Sequence, residues 1–394
     1  MMSKKRFIGI LPTKGITLME QFNDCLSILK ETLQSFGLDA KHVLKQTVFI
    51  KADDNTDFSN KKNELFPALK DFYKSFLPPS SFIGQKPENN KYVSLEVILL
   101  IQQLDKIEIN HKALGDISYS VVNYSDFKEV YASGLTVCQK QTGTSNQAKE
   151  AFELMKKVLE KENMTFLDVV RQWNYIEDIL GITSDKDGFK QNYQLFNEIR
   201  SIYYRAADLV NEYPAATGIG MNAGGVIIEF IAVSAFKDIS IIPISNPRQV
   251  DAHKYTQDVL VGNSTKDSPK KASPKFERAK LVSLNDSGRI YISGTAAVLG
   301  QNAVPEQDVE NQTLTTIENI SKLISRDNLK DCGVKINLNQ EPLSYIRVYV
   351  KNEADIPEVK KICEKYFQDV PSLYLVSDIC RNDLLIEIEG VLLI

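Results

Sequence analysis

The sequence is poor in histidine, in paired cysteines and in long apolar runs. Only three histidines occur in 394 residues (His42, His111 and His253), in unrelated contexts. A histidine-based catalytic triad or a His-rich metal centre is therefore not expected, and no metal or cofactor is implied. The five cysteines (Cys25, Cys138, Cys332, Cys363 and Cys380) are odd in number and contain no Cys-x-x-Cys pair. That pattern suits free thiols in a reducing compartment. No apolar run reaches the ~18 residues of a membrane span. The segment MMSKKRFIGILP starts basic, but its apolar part is too short for a signal peptide. A cytoplasmic protein without a membrane partner is expected. Lys plus Arg number 47 and Asp plus Glu 51, a formal net charge of -4. This leaves no electrostatic basis for a nucleic-acid partner. A phosphate-cradling glycine loop is also missing. GIGMNAGG, Gly218 to Gly225, is glycine-rich but lies between two strand patterns, and a lone Gly-x-Gly is weak evidence for a nucleotide site.

What the chain does have is repetition. In the first copy, helical periodicity runs through MEQFNDCLSILKETLQSFGL, with Phe22, Cys25, Leu26, Leu29 and Leu33 on one face. The strand VLKQTVFIKA, a helix over about 60–76 and the strand YVSLEVILL follow. The same order recurs from EVYASGLTV to GVIIEFIAV, and again from GRIYISGTAAV to the C-terminal IEIEGVLL. A glutamine opens the first helix of each copy and a glutamate sits in its last strand. Gln21 to Glu96 spans 75 positions, Gln147 to Glu229 spans 82 and Gln312 to Glu387 spans 75. Pro79, Pro214 and Pro371 precede those glutamates by 17, 15 and 16 positions. The expected class is α+β, with each unit an antiparallel-prone sheet covered by two helices. The predicted units are 1–112, 113–239 and 240–394, the first divergent and structural. Asp105 to Asp126 and Ser240 to Ala279 read as linkers. The second holds STKDSPKKASPK, whose composition is that of a solvated surface loop.

In the C-terminal stretch, Leu385, Glu387 and Glu389 share one side of an extended chain, because strand side chains alternate. Carboxylates are depleted in strands, where burying an unpaired charge is costly. The face is either wet, or Glu387 is a site carboxylate with a raised pKa.

The unit resembles the Rid (YjgF) family, one of the folds similar to the small chorismate mutase subunit. The matching residues are the EQ helix and TVFI strand of copy one, the SGT of copy three and the proline-to-IEIEG ending. Rid proteins are homotrimers with sites between subunits. Three tandem units would form an intrachain pseudo-trimer, a monomer in which further self-association remains open. From Asp168 to Ile394, the segments RQWNYIEDI, FNEIRSIYY, YPAATGIG, PKFERAKLV, RIYISGTAAVLG and DICRNDLLIEIEG resemble the chorismatases, Rid-like enzymes that hydrolyse chorismate to pyruvate.

That resemblance implies a small carboxylate substrate such as chorismate, and a cleft between copies two and three. It places the catalytic acid at Glu387, with Glu389 as the alternative. Arg200 is the matching carboxylate-binding arginine. Arg347 and Lys351 compete for a second such role, Lys351 lacking the fork of an arginine. Tyr255 is a candidate hydrogen-bonding partner, and Gly294, Thr295 and Ala296 candidate walls of the ring pocket. Cys380 stands where the family places a residue that influences product outcome, and is otherwise a small core residue. Arg381 and Trp173 read as structural. Two other functions stay open. One is a Rid-type imine deaminase, although the arginine expected two positions after the proline is replaced by Ser80 or Ser81, Ala216 and Leu373. The other is a non-catalytic small-molecule binder.

Overall fold

The computed structural model describes residues 5–101, 107–137, 143–185, 188–208, 212–235, 239–263, 270–285, 287–305, 308–335 and 343–394. Cys138 and part of the Lys/Ser/Pro run, 264–269, lie outside these residues. The chain is mixed α+β and contains three main sheets.

Each sheet is built on one kernel. In the first, the strands Lys5–Ile10, Val93–Leu100, Val43–Ile50 and Ser80–Ile83 lie side by side in that order. The second places Phe127–Leu135, Val226–Ala235, Val169–Glu177 and Ala215–Met221 in the equivalent order. The third does so with Ser287–Ala296, Ile386–Leu393, Tyr345–Val350 and Ser372–Val376. The PPSSFIGQ, YPAATGIG and PSLYLVS segments thus supply an additional strand, parallel to its neighbour in all three units.

Helices Leu18–Ser35 and Asn55–Tyr73 cover the first sheet. Thr144–Lys161 and Asn192–Ala206 cover the second, and Val309–Leu323 and Ile356–Phe367 the third. Their starts follow ordinary capping chemistry. Thr17 and Glu20 form a capping box, and Asp308 accepts from Asn311 N–H at 2.8 Å. The opposite faces of the three sheets meet in one core that includes Phe49, Trp173, Tyr175, Tyr349, Leu373 and Val391. Strands such as Val43–Ile50 are therefore buried along their whole length. Even Lys45, Gln46 and Thr47 in the middle of that strand are buried, so burial on both faces replaces the alternation of a half-wet strand.

Two expectations about the linkers are corrected. The first contains the hairpin Glu108–Leu114 and Ile117–Asn123, which widens the second sheet. The second begins with Ile239–Ile244, paired to Ala279–Leu284 at the edge of the third sheet. It then returns across the junction of the second and third units.

The register of the repeat is corrected as well. Gln21 Oε1 accepts from Tyr92 N–H at 2.8 Å, and Gln312 Oε1 from Leu385 N–H at 2.8 Å. Tyr92 and Leu385 each immediately precede the last strand of their unit. Counted from those strand starts, the equivalent glutamates are Glu96, Glu229 and Glu389, which pair with Thr47, Trp173 and Arg347 across the ladder. Ser94 and Ile227 occupy the positions equivalent to Glu387. The equal 75-residue spacing aligns Glu387 with Glu96 only by coincidence, because the third unit carries two extra residues between its glutamine and the start of its last strand.

The three equivalent glutamates close a ring of ion pairs between units. Glu229 is held by Lys45 Nζ at 2.5 Å and Thr47 Oγ1 at 2.9 Å. Glu389 is held by Arg171 Nη2 at 2.8 Å and Trp173 Nε1 at 2.7 Å. Glu96 is held by Tyr345 Oη at 2.7 Å and Arg347 Nε at 2.8 Å. In every case two alternate residues on the second strand of one unit grip the glutamate of another. Burying these charges is tolerable only because each carboxylate is paired and hydrogen-bonded.

Candidate active site

A pocket of about 730 Å³, including its opening to solvent, lies where the second and third units meet. Helix Asn192–Ala206 and the strand Ala215–Met221 contribute Tyr193, Gln194, Asn197, Ala216 and Gly218. The third unit contributes Gly294, Ala296, Cys380, Arg381, Leu384 and Glu387. The returning segment between them closes the wall with Tyr255, Leu260, Pro274, Phe276 and Arg278, among others. The run expected to be a surface loop thus puts Pro274 on the pocket wall.

Glu387 is 5% exposed, and no described residue is hydrogen-bonded to its carboxyl group. Burial pushes its pKa up to about 8, helped by the charge of Glu389 and opposed by Arg171 and Arg278. Glycine at 294 leaves the carboxyl group its place, because a β-carbon would lie 2.0 Å from Glu387 Oε1 and the carboxyl group would have to move. The backbone N–H of Gly294 donates to Thr217 Oγ1 at 3.1 Å, which ties the opening beside Glu387 to the second unit.

Glu389 is not a competing acid. Burial alone would raise its pKa, but Arg347 and Arg171, with hydrogen bonds from Thr217 and Trp173, outweigh that and hold it below its usual range. Trp173 belongs to the same buried ring, its indole flanked by Lys45 at 4.7 Å and Arg171 at 4.6 Å.

Several candidate binding residues are displaced from the roles expected of them. Arg347 is completely buried, with its guanidinium engaged by Glu96, Glu389, Tyr175 and Tyr349. It has no fork left for a substrate. Lys351 donates to Asn382 O at 2.7 Å and Oδ1 at 2.9 Å, away from the pocket wall. Thr295 turns its hydroxyl to Ser293 O at 2.9 Å, while its neighbours Gly294 and Ala296 line the pocket. Arg200 is buried one layer behind the wall, donating to Asn197 Oδ1.

Tyr255 does reach the pocket. Its hydroxyl accepts from Arg278 Nη2 at 2.8 Å, and its ring lies 5.6 Å from the Arg278 guanidinium and 5.1 Å from that of Arg381. Cys380 also lines the pocket, and its thiol is pushed up to about 12 by burial and by the Glu387 charge. It is therefore un-ionised and unsuited to nucleophilic attack.

Arg278 and Arg381 are the pocket's guanidiniums. Arg278 could have been sought in PKFERAKLV, where an arginine stands just before a strand, two residues after an aromatic, but nothing local separates it from a surface cation. Arg381 donates Nη1 to Gln301 O at 2.7 Å, as its structural reading expected, and faces the pocket besides. No group of three or more His, Cys, Asp or Glu with metal-site geometry occurs among the described residues.

This geometry accompanies clear likenesses to known proteins. Residues 110–232 match the family model "Chorismatase FkbO/Hyg5-like, N-terminal". A 3-hydroxybenzoate synthase of Streptomyces hygroscopicus is 33% identical over 263 residues, covering 64% of this chain and 71% of that protein. The chain belongs to the chorismatase family. A chorismatase of Streptomyces rapamycinicus is also 33% identical, over 228 residues, or 57% of this chain and 63% of that protein. A chorismatase crystal structure superposes with a TM-score of 0.68 at 21% identity, covering 99% of this chain and 98% of the other. That likeness spans nearly the whole chain, the divergent first unit included.

Proposed function

We propose that this chain cleaves the enolpyruvyl ether of chorismate and releases pyruvate, with Glu387 as the acid. The carrying observation is the Glu387 carboxyl group, free of hydrogen bonds among the described residues, and protonated up to about pH 8 on the pocket wall. Carbon accepts protons slowly, so a well-aimed acid that remains protonated at neutral pH is what this reaction requires.

Glu387 gives its proton to the terminal methylene of the vinyl ether, whose π electrons form the new C–H bond. The ether oxygen stabilises the resulting cation, and the Glu387 carboxylate faces it. Water adds to the cationic carbon and returns a proton to Glu387. The hemiketal then collapses to pyruvate, and the ring oxygen leaves as an alcohol, giving a dihydroxycyclohexadiene-type product. If the ring also loses one hydroxyl, together with the hydrogen on the neighbouring oxygen-bearing carbon, as water, it aromatises to a hydroxybenzoate-type product, and pyruvate is common to both. Arg278 and Arg381 bind the two carboxylates, Tyr255 holds Arg278 in place, and Gly294 and Ala296 leave room for the ring.

The shared strand order and the ring of glutamate pairs support a three-unit pseudo-trimer within one chain, with boundaries near residues 112 and 239. Only the third unit has a carboxylate at the Glu387 position, so one cleft is active. No helix among the described residues is long and apolar enough to cross a membrane, and Cys25, Cys332, Cys363 and Cys380 are free thiols. A cytoplasmic setting agrees with both. The imine-deaminase alternative lacks its guanidinium at Ser80 and Ser81, Ala216 and Leu373. Incubation with chorismate should release pyruvate from the parent protein, and Glu387→Gln should release almost none. An inactive parent would overturn the proposal.

A further inference from the structure

The strands Ala215–Met221 of the second unit and Ser287–Ala296 of the third meet beside Glu387 through a reciprocal pair of hydroxyl contacts. Ala216 N–H donates to Ser293 Oγ at 2.8 Å, and Gly294 N–H donates to Thr217 Oγ1 at 3.1 Å. Ala216 and Gly294 both line the pocket. The junction of the first and second units has half of this clasp. There Gly134 N–H donates to Ser81 Oγ at 2.6 Å, but Ser133 Oγ has no partner among the described residues. Where the third unit meets the first, Leu373 stands against Gly9 and offers no hydroxyl. The complete clasp belongs to the junction that holds Glu387.

Thr217 is 1% exposed, and its hydroxyl is saturated. Besides Gly294 N–H, Arg171 Nη2 donates to Oγ1 at 2.7 Å. Amide and guanidinium are donor-only, so the single hydroxyl hydrogen goes to Glu389 Oε2. Asn174 Nδ2 donates to the Thr217 carbonyl at 3.0 Å, which fixes the backbone beneath the side chain. The charged or titratable groups around Glu387 are Glu389 on its own strand, Arg171 on the strand Val169–Glu177, Arg278 on the returning segment, Tyr193 on helix Asn192–Ala206, and Cys380 and Arg381 on the pocket wall. Thr217 engages the first two of these together with the Gly294 amide.

We infer that Thr217 is a positioning residue for Glu387, whose hydroxyl occupies the Gly294 and Arg171 donors and keeps them from the Glu387 carboxyl group. This rests on the reading of Glu387 as the acid and deepens it. Without Oγ1, three changes act in one direction. The Gly294 N–H loses its acceptor beside Glu387, an Arg171 N–H is freed, and the ionised Glu389 loses a hydrogen bond. Each favours the ionised form of Glu387, which has no proton to give.

Thr217→Val keeps the shape of the side chain and removes the oxygen. In pyruvate release from chorismate, the high-pH limb of kcat should move down by about half to one pH unit, the worth of one hydrogen bond. Thr217→Ser should restore the parent's limb, and Thr217→Ala should repeat the shift if the valine variant fails to fold. Ser293→Ala opens the other half of the clasp and leaves both donors engaged, so the limb should stay in place.

A readout that needs no turnover is 13C NMR of protein labelled with δ-13C-glutamate, in which the Glu387 carboxyl resonance is the one missing from Glu387→Gln. Its titration midpoint should fall by the same amount in Thr217→Val and recover in Thr217→Ser. If the parent releases no pyruvate, the cleavage reading fails, and this midpoint still decides the role of Thr217. A midpoint unmoved by the valine and alanine changes, or moved equally by Ser293→Ala, would overturn the inference.

Discussion

Glu387 and Glu389 stand two residues apart on the final strand and hold opposite protonation states at neutral pH. Glu389 is kept ionised by Arg171 and Arg347, and Glu387 keeps its proton up to about pH 8. The charge of the first helps to raise the second. Each carboxylate's surroundings therefore define its role: Glu389 binds one unit to another, and Glu387 is left to carry the chemistry.

Glu387→Gln should lower kcat for pyruvate release by about 100- to 10,000-fold, the usual worth of a positioned acid. Far-ultraviolet circular dichroism should be unchanged. A variant that retained full activity would remove Glu387 from the mechanism.

The pH dependence follows from the same shift. The acid is competent when protonated, so kcat should fall as pH rises through about 8. Stability has its own slope. The folded pKa lies above the unfolded value, so the folded state binds the extra proton between about pH 4.5 and pH 8. This contribution to stability is fully present below that window and is lost as pH rises through it. Thermal melts should show Glu387→Gln gaining on the parent across the window, by at most about 1.4 kcal/mol per pH unit.

Gly294→Ala should cost activity far more than stability. The added β-carbon would meet Glu387 Oε1 at 2.0 Å and force the carboxyl group off its aim. A 1 Å misplacement of a catalytic group can cost about 100-fold in rate. Parallel kcat and thermal-midpoint measurements check the separation.

Arg278→Gln should weaken substrate binding, because it removes a charge-assisted contact at the pocket wall. The expected change is a rise in KM of about 10- to 100-fold, corresponding to about 1.5–3 kcal/mol for a hydrogen bond to a charged group. An equal change in Arg347→Gln, with the fold intact, would contradict the assignment of Arg347 to the ring between units.

Glu389→Gln should unfold the protein more easily, by about 3–5 kcal/mol, because Arg171 and Arg347 lose a buried counter-ion. In whatever folded fraction remains, the high-pH limb of kcat should move to lower pH. The Glu389 charge that raises the Glu387 pKa is gone, and Arg171 is left to lower it. Denaturant titration and a pH–rate profile test the two effects.

The repeated order of elements was legible in the sequence, because helix periodicity, strand composition and the glutamine–glutamate landmarks are local or nearly local properties. The prominence of Glu387 was legible too, since a carboxylate within a buried strand needs an explanation from any nearby residue count. The repeat register was not. Two extra residues before the last strand made Glu387 seem equivalent to Glu96, and only the hydrogen bonds from Gln21 and Gln312 to the strand starts resolve it.

Which arginine faces the pocket was decided by tertiary structure alone. Arg200, Arg278 and Arg347 are all nearly or completely buried, and composition does not distinguish them. Their partners do: Arg347 meets Glu96 from 251 positions away, and Arg278 meets Tyr255 from a segment that read as linker. The sequence by itself determined which residues must be buried and which would resist burial. How the resisting charges were matched, and which one was left unmatched beside a pocket, depended on three units closing around one core. Ion pairing acts over a few ångströms in space and takes no account of distance along the chain.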